Sequence, residues 1–263
     1  MTQSILTELR GSTFLIRMNR PERRNAFDLD MRTALAEAIY EARDNDAVKA
    51  VVLAGSEGTF CAGGDLRALS GKKMTVAESR DRIRRLHPWF TQLLNLEKPV
   101  IAAVDGPAFG AGFNLALACD FILGTPRTRM CAVFGRIGLV PDLGGFYLLP
   151  RIVGLQRAKE LVFSARELGA EEAKSLGILY DIYDPEQLEQ AAFDMAETFA
   201  LASTEAIGMS KNIMNRSFNL DYDTLAEMES YAQALAIQSS YHGEAVKRFI
   251  DKQPLSFVWK NKK

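Results

Sequence analysis

The sequence carries no surplus of charge, since 32 basic and 33 acidic side chains give a formal net charge of −1 over 263 residues. The basic residues are scattered along the chain, which argues against nucleic acid or an anionic membrane surface as a partner. No apolar run approaches the about 18 residues of a membrane-spanning helix, and the N-terminus lacks the pattern of a signal peptide. We therefore expect a protein that binds neither nucleic acid nor a membrane.

Cysteine and histidine are scarce as well. The three cysteines, Cys61, Cys119 and Cys131, are an odd number without metal-ligand spacing, which fits a reducing cytoplasm better than a disulfide framework. His87 and His242 belong to no His-Glu-x-x-His motif, and neither Gly-x-Ser-x-Gly nor Gly-x-Gly-x-x-Gly occurs. The sequence thus gives no support for a serine hydrolase, a metal site or a dinucleotide, and predicts a cytoplasmic protein without a bound cofactor.

Short apolar runs alternate with helical patterns in the first half of the chain. Runs rich in β-branched or aromatic residues predict strands at "STFLIRMN", "VKAVVLAG", "KPVIAAVDG", "CDFILGT" and "RMCAVFG". Helical spacing predicts helices over 27–45 and 75–94, and this alternation is typical of an α/β domain. After about Pro185 only helical patterns follow. We predict an α/β core over residues 1–202 and a helical C-terminal region over 203–263; alternatively, these helices complete the same core.

Two glycine-rich stretches, "FCAGGDL" (60–66) and "FGAGFNL" (109–115), nearly repeat each other, and each follows a predicted strand. Glycine at a strand-to-helix turn permits close approach of the backbone, and the first N–H groups of the next helix lack intrahelical partners. Neither stretch has the Lys-Ser/Thr of a nucleotide-binding loop. The two turns therefore predict backbone donors for a transient oxyanion, an oxyanion hole, rather than for a phosphate. The alternative is that the glycines serve only tight packing.

Five ordered motifs resemble the enoyl-CoA hydratase/isomerase (crotonase) family over essentially the whole chain. They are "MNRPERRNAF", "GTFCAGGDL", "KPVIAAVDGPAFGAGFNLALACD", "FGRIGLVPDLGGFYLLPRIVG" and "AVKRFIDKQPLSF". The resemblance implies an α/β fold that is a crotonase-like spiral of ββα units with a C-terminal helical trimerisation region. It also implies a homotrimer or a dimer of trimers, and an acyl-CoA substrate that brings coenzyme A to the site.

The resemblance assigns the site residue by residue. The backbone N–H groups of Gly64 and Ala111 would form the oxyanion hole. The positions that would contact coenzyme A are Arg23, Arg24, Ala26, Ala62, Asp65, Leu66, Phe249 and Lys252. For the two N-terminal arginines the alternative is a surface ion pair. Phe249 and Lys252 would reach the coenzyme A of a neighbouring subunit. Lys252 is one residue closer to the following proline than in the family's motif.

The two glutamates of family hydratases are missing. Hydration needs a water held between two carboxyl groups, and the corresponding positions here are Asn114 and Phe134. One acid remains in this segment, Asp142 in "VPDLGG", where family isomerases carry their acid/base. The alternatives are that Asp142 caps the next helix, and that Asn114 binds substrate, orients Asp142 or is a buried structural amide.

An apolar setting is expected to raise the pKa of the Asp142 carboxyl, as suits a group that both takes and gives a proton. The expected neighbours are Phe134, Leu139, Val140 and Leu143. The acyl pocket is expected from residues 69–94 together with Trp89, Phe113 and Phe146.

These residues predict an isomerase that converts a 3-enoyl-CoA to a 2-enoyl-CoA through an enolate. Isomerisation of a cyclic or aromatic-derived acyl-CoA is the second choice of reaction. A hydratase (a lyase) of fatty-acid or aromatic degradation is the alternative. The alternative of another class is a non-catalytic protein of the same fold that binds coenzyme A or serves as a scaffold.

Overall fold

The computed structural model describes residues 3–69 and 74–259 of the chain. Nine strands within these residues lie at Ile5–Arg10 (β1), Thr13–Met18 (β2), Ala50–Ala54 (β3), Val100–Val104 (β4), Pro107–Phe109 (β5), Phe121–Gly124 (β6), Arg129–Cys131 (β7), Leu168–Gly169 (β8) and Asp181–Ile182 (β9). Twelve α-helices of the same residues lie at Leu29–Asp44 (α1), Leu66–Leu69 (α2), Val76–Arg84 (α3), His87–Leu94 (α4), Ala111–Leu117 (α5), Gly145–Val153 (α6), Leu155–Ser164 (α7), Ala170–Ser175 (α8), Pro185–Phe199 (α9), Thr204–Met214 (α10), Tyr222–Ile237 (α11) and Ser240–Ile250 (α12). Short 3-10 helices lie at Pro21–Arg23 and Val133–Ile137.

The main sheet contains six of the described strands in the order β1-β2-β3-β4-β6-β9. β1 runs antiparallel to β2, whereas the other neighbours are parallel. A second sheet consists of β5, β7 and β8. β3 and β4 are buried along their whole length, as strands covered on both faces must be. The predicted α/β fold is therefore confirmed.

Two apolar cores lie on the two faces of the main sheet. Successive side chains of a strand point to opposite faces, so Val51 and Leu53 of β3 join the larger core while Val52 joins the smaller one. The larger core contains residues of α1, α4 and α5, and the smaller one is completed by α9. α5 is buried along its whole length. The second glycine turn therefore leads into a helix at the centre of the molecule.

Two predicted segments differ from the structure in their extent. The helix expected over 75–94 is divided into α3 and α4, because Pro88 in the first turn of α4 cannot continue a preceding helix. The strand expected in "RMCAVFG" ends at Cys131, and the chain then forms a 3-10 helix.

The described residues after 203 contain helices and no strand, as the sequence predicts, and an ion pair connects α10 to the main sheet. Lys211 of α10 is buried, and its ammonium group lies 2.8 Å from the carboxylate of Asp120, the residue before β6. The division at residue 203 stays a prediction. Of the helices in the described residues, none combines the length and the apolar character needed to cross a membrane.

Candidate active site

The two predicted glycine turns lie side by side. The N–H of Cys61 donates to the carbonyl of Pro107 at 3.0 Å, and the Cys61 carbonyl accepts from the N–H of Phe109 at 2.9 Å. Gly63 has a φ of +98°, and a Cβ there would stand 2.8 Å from the Phe109 oxygen and 3.7 Å from the Ala111 nitrogen. This approach requires a residue without a side chain. The first turn thus lies directly against the start of α5.

Each turn offers one unused backbone donor. Among the described residues, no protein group accepts a hydrogen bond from the N–H of Gly64 or of Ala111. Ala111 is the first residue of α5, so its N–H has no intrahelical partner. On either side of Gly64 the backbone is held by Phe27, which donates to the carbonyl of Gly63 and accepts from the N–H of Asp65, both at 2.8 Å. The geometry of the two turns supports the predicted oxyanion hole.

Asp142 lies in the turn between the second 3-10 helix and α6. The Asn114 side-chain amide donates to the main-chain carbonyl of Asp142 at 2.7 Å, and the N–H of Gly145 donates to the same oxygen at 2.9 Å. Within the described part of the chain, Oδ1 of Asp142 is buried and has no hydrogen-bond partner. Gly144 is the N-cap residue of α6, and no side chain caps that helix. The helix-cap alternative for Asp142 is therefore wrong.

Burial raises the pKa of the Asp142 carboxyl above its ordinary value. Four neighbouring groups lower this pKa and so oppose the effect of burial. The Arg32 guanidinium has the largest effect, followed by the Asp142 main chain, Arg82 and His87. Arg32 and Arg82 were not predicted as neighbours of Asp142, because an arginine on an amphipathic helix normally lies in solvent and no local pattern marks Arg32 as different. The carboxyl therefore lies partly buried, and the arginines that act on it are positive.

The apolar neighbours of Asp142 were predicted only in part. Phe134 and Leu143 are buried, but Leu139 and Val140 are 53% and 69% exposed, because the chain runs along the surface between the 3-10 helix and the turn. Phe90 of α4, which was not predicted, covers the turn instead. A Cβ on Gly144 would stand only 2.7 Å from the Phe90 ring.

The two positions that hold glutamates in family hydratases both lie beside the glycine turns. Asn114 is 2% exposed in α5, and its hydrogen bond to the Asp142 carbonyl supports the alternative in which it orients Asp142. The Phe134 ring lies 3.7 Å from the place of a Cβ on Gly110, the residue before Ala111. Neither position carries a carboxyl group.

The N-terminal motif and the first glycine turn are joined by hydrogen bonds. The N–H of Ala62 donates to the carbonyl of Arg24 at 3.0 Å. Arg20 donates to the carbonyl of Ala26 at 2.6 Å, and its guanidinium lies 3.4 Å from the Asp65 carboxylate. Five predicted coenzyme A positions thus share one surface: these are Arg24, Ala26, Ala62, Asp65 and its neighbour Leu66, the first residue of α2.

Arg23 and Arg24 are exposed, and neither forms an ion pair with another described residue. The surface ion pair that was their alternative is therefore not observed. Phe249 and Lys252 lie exposed at and after the end of α12, and their contact with a neighbouring subunit stays a prediction.

The predicted acyl pocket needs correction at Phe113, whereas the role of Phe146 stays a prediction. Phe113 is fully buried in the larger core, because it lies in the buried helix α5, and Phe146 is 60% exposed on α6. Trp89 is buried in α4. Residues 70–73 of the predicted pocket segment lie outside the described residues. In the part of the chain that the structure describes, no group of three or more His, Cys, Asp or Glu side chains is placed to hold a metal ion.

The fold defines a crotonase-type α/β protein, and the two adjacent glycine turns each leave one backbone donor unused among the described residues. The profile of the family described as "Enoyl-CoA hydratase/isomerase" matches residues 8–262, and the chain belongs to this family. Its members are enzymes that act on coenzyme A thioesters.

Relatives of both reaction types are similar to the chain. The 1,2-epoxyphenylacetyl-CoA isomerase of Escherichia coli (strain K12) is 33% identical, over 99% of this chain and 100% of the relative. The short-chain-enoyl-CoA hydratase of Clostridium acetobutylicum is 31% identical, over 96% of each chain. The crystal structure of an enoyl-CoA hydratase/isomerase from Cupriavidus metallidurans CH34 superposes with a TM-score of 0.93 at 40% identity, covering 99% of this chain and 98% of the other.

Proposed function

We propose that the protein is an isomerase that moves the double bond of a 3-enoyl-CoA to the 2-position. The observation that carries this proposal is the carboxyl of Asp142, whose buried Oδ1 lacks a partner in the described residues while its turn is held by Asn114. The two hydratase positions hold an amide and a phenyl ring. A single carboxyl in a dry site suits proton transfer between two carbons, because that reaction needs no water.

The reaction begins when the Asp142 carboxylate takes a proton from C2 of the acyl group. The electrons of the broken C–H bond pass into the thioester and form a dienolate, and its oxygen accepts from the N–H groups of Gly64 and Ala111. The protonated Asp142 then returns the proton to C4, which leaves the double bond between C2 and C3. One donor of an oxyanion hole contributes about 10²–10³ in rate, and the raised pKa of Asp142 makes its carboxylate a stronger base for taking the proton from C2.

A second candidate is the isomerisation of a cyclic or aromatic-derived acyl-CoA. It is supported by the relative that is named a 1,2-epoxyphenylacetyl-CoA isomerase and matches nearly the whole chain. Hydration is the weaker candidate despite the relatives named hydratases, because no carboxyl pair stands at Asn114 and Phe134 to hold the water.

A parallel assay of the purified protein on a 3-enoyl-CoA and on its conjugated 2-enoyl isomer tests the proposal. The ultraviolet absorbance of the conjugated thioester is expected to rise with the first substrate and to stay constant with the second. A falling absorbance with the second substrate means that water is added and contradicts the isomerase assignment. Coenzyme A binding without turnover of these substrates or of cyclic acyl-CoAs supports the non-catalytic alternative.

We further propose a homotrimer or a dimer of trimers in which Phe249 and Lys252 contact the coenzyme A of a neighbouring subunit. The support is the exposure of large apolar side chains on α11 and α12. They include Tyr231, Leu235, Phe249 and Ile250. Light scattering is expected to give three or six times the chain mass of 29.2 kDa, and a monomer contradicts the proposal.

A further inference from the structure

Asn25 is a buried amide in the loop between β2 and α1. It is 0% exposed, and its φ of +54° lies in the left-handed region, as does the φ of +51° of Arg24 before it. Residues other than glycine keep this conformation where the surrounding contacts hold them in it. Asn25 has no part in the proposed proton transfer, so its burial at this point of the chain has another cause.

The Asn25 side chain joins two segments of the chain by hydrogen bonds. Its Oδ1 accepts from the N–H of Arg20 at 2.8 Å and from the Ser56 hydroxyl at 3.0 Å. Its Nδ2 donates to the carbonyl of Thr59 at 2.7 Å and to that of Ser56 at 3.2 Å. An amide has two donor and two acceptor positions, and each of them is occupied here. Asn25 therefore fixes the loop that begins at Arg20 to the turn from Ser56 to Thr59.

The loop that carries Asn25 also holds the first glycine turn. One residue before Asn25, the carbonyl of Arg24 accepts from the N–H of Ala62 at 3.0 Å. Two residues after Asn25, the main chain of Phe27 forms a parallel β-bridge with Gly64 and is hydrogen-bonded to the residues on either side of it. The direction of the Gly64 N–H thus depends on the main chain immediately before and after Asn25.

The second segment that Asn25 binds leads into the same turn. Thr59 is the residue directly before the first glycine turn (60–66), and its carbonyl accepts the shorter of the two bonds from Nδ2. The amide therefore holds the entry of the turn on one side and the loop that pairs with Gly64 on the other. A carboxylate of the same shape has no donor for the two carbonyls, and an apolar side chain leaves every one of these groups without its partner.

We propose that Asn25 is a positioning residue for the oxyanion hole, and that its amide sets the direction in which the Gly64 N–H points. The inference rests on the proposed function, in which this N–H binds the thioester oxygen. Asn25 itself touches neither the substrate nor the reacting atoms in this account. A displacement of about 1 Å in a catalytic group costs about 10²-fold in rate, so loss of the amide is expected to lower kcat about 10-fold or more.

The test is the infrared stretching frequency of the thioester carbonyl in bound butanoyl-, hexanoyl- and octanoyl-CoA, isotopically labelled at that carbon. A carbonyl that accepts hydrogen bonds vibrates at a lower frequency than a free one, so wild type is expected to lower the frequency on binding. Asn25→Gly keeps the left-handed backbone, which glycine adopts readily, and removes only the side-chain bonds. At ligand saturation this variant should lower the carbonyl frequency less than wild type, and its kcat on a 3-enoyl-CoA should fall.

Two further variants separate positioning from stability. Asn215→Ala, at the end of α10, removes an amide that donates to the carbonyl of Leu94 at 2.9 Å, and should lower stability without changing the carbonyl frequency. Ser56→Ala removes only the hydroxyl bond to Asn25 and should give a smaller loss of the frequency shift than Asn25→Gly. A frequency shift of wild-type size in folded Asn25→Gly overturns the inference, as does one in Ser56→Ala if Asn25→Gly does not fold. An equal loss in Asn215→Ala also overturns it, because lower stability then explains the effect.

The failure of this inference is separable from that of the isomerase assignment, because saturated thioesters do not react. Isomerisation of 3-enoyl-CoAs with a carbonyl shift that does not depend on Asn25 leaves the assignment and removes the positioning role. A carbonyl shift that depends on Asn25, without isomerisation, leaves the positioning role and removes the assignment. A wild-type protein that binds the thioesters without any shift contradicts the oxyanion hole, and the role of Asn25 with it.

Discussion

Replacing Asp142 by asparagine removes the proposed acid/base and changes little else. Asparagine has nearly the shape of aspartate, and the hydrogen bonds that hold this turn are made by the Asp142 main-chain carbonyl, with Asn114 and the N–H of Gly145. Oδ1 of Asp142 has no partner among the described residues, so no side-chain hydrogen bond is lost there. We therefore expect the folded structure and the coenzyme A surface to survive the substitution.

The expected loss is confined to the chemical step. A positioned general acid/base contributes about 10²–10⁴ in rate, which is about 3–5 kcal/mol of transition-state free energy. Because the substrate is bound by other groups, kcat should fall by this factor while the dissociation constant of a saturated acyl-CoA changes less than about 3-fold, or about 0.7 kcal/mol.

The direction in which Asp142→Asn changes the free energy of unfolding can also be predicted. Burial raises the folded-state pKa of Asp142, so folding favours its protonated form. This stabilisation is present at low pH and is lost as the pH rises through the raised pKa, where the wild type must bury an unpaired charge. Asparagine carries no such charge. Asp142→Asn should therefore be at least as stable as wild type at neutral pH, and its advantage should shrink as the pH is lowered.

The assay combines the absorbance of the conjugated thioester, calorimetric binding of a saturated acyl-CoA, and urea unfolding at neutral and acidic pH. Asp223→Asn, an exposed aspartate on α11, is the matched control and should resemble wild type in all three. Isomerase activity within a few-fold of wild type refutes the acid/base role of Asp142. Lost binding together with lost activity indicates a structural role instead.

Three further substitutions test the proposed oxyanion donor, the side chain that holds the Asp142 turn, and the ion pair of α10. Ala111→Pro removes one oxyanion donor at the first helical position, which tolerates proline, so kcat should fall about 10²–10³-fold with the fold retained. Asn114→Ala removes the 2.7 Å bond to the Asp142 carbonyl, and both kcat and the unfolding free energy should fall, the latter by about 1–3 kcal/mol. Lys211→Met removes the charged hydrogen bond to the Asp120 carboxylate 2.8 Å away, and because Asp120 stays in contact with solvent the cost in urea unfolding should be about 1.5–3 kcal/mol.

Each of these three predictions has an outcome that would contradict it. Unchanged kcat in folded Ala111→Pro shows that this amide does not bind the enolate oxygen. Asn114→Ala with wild-type kcat at reduced stability shows that the amide is only structural. Lys247→Met on the exposed face of α12 is the control for Lys211→Met, and equal stability of the two variants means that the ion pair does not fix α10 to the sheet.

The glycine turns were predictable because their function depends on the backbone. A glycine repeat after a buried strand leaves few conformations, and the approach of Gly63 to Phe109 is the consequence. The strands β3 and β4 were predictable for a related reason, since their continuous burial gives unbroken apolar runs.

The surroundings of Asp142 were not predictable to the same degree, because they depend on tertiary packing. Sequence neighbours such as Leu139 and Val140 turned out to be exposed, whereas Phe90, from a different element, covers the turn. The charge of Arg32, from α1, lowers the pKa of Asp142 against the effect of burial, and the local pattern carries no sign of it. Local spacing therefore identified the reacting groups, and only the assembled fold shows the charges that act on them.

The packing around Asn114 bears directly on the choice between isomerisation and hydration. A Cβ on Gly145 would stand 2.6 Å from the Asn114 amide nitrogen, so the main chain of the Asp142 turn lies directly against this side chain. A glutamate at position 114 would be longer by one carbon and would meet that main chain. The same close approach forms the hydrogen bond to the Asp142 carbonyl. In the rotamer that Asn114 adopts, the turn that positions Asp142 therefore leaves no room for the longer carboxylate side chain of a glutamate.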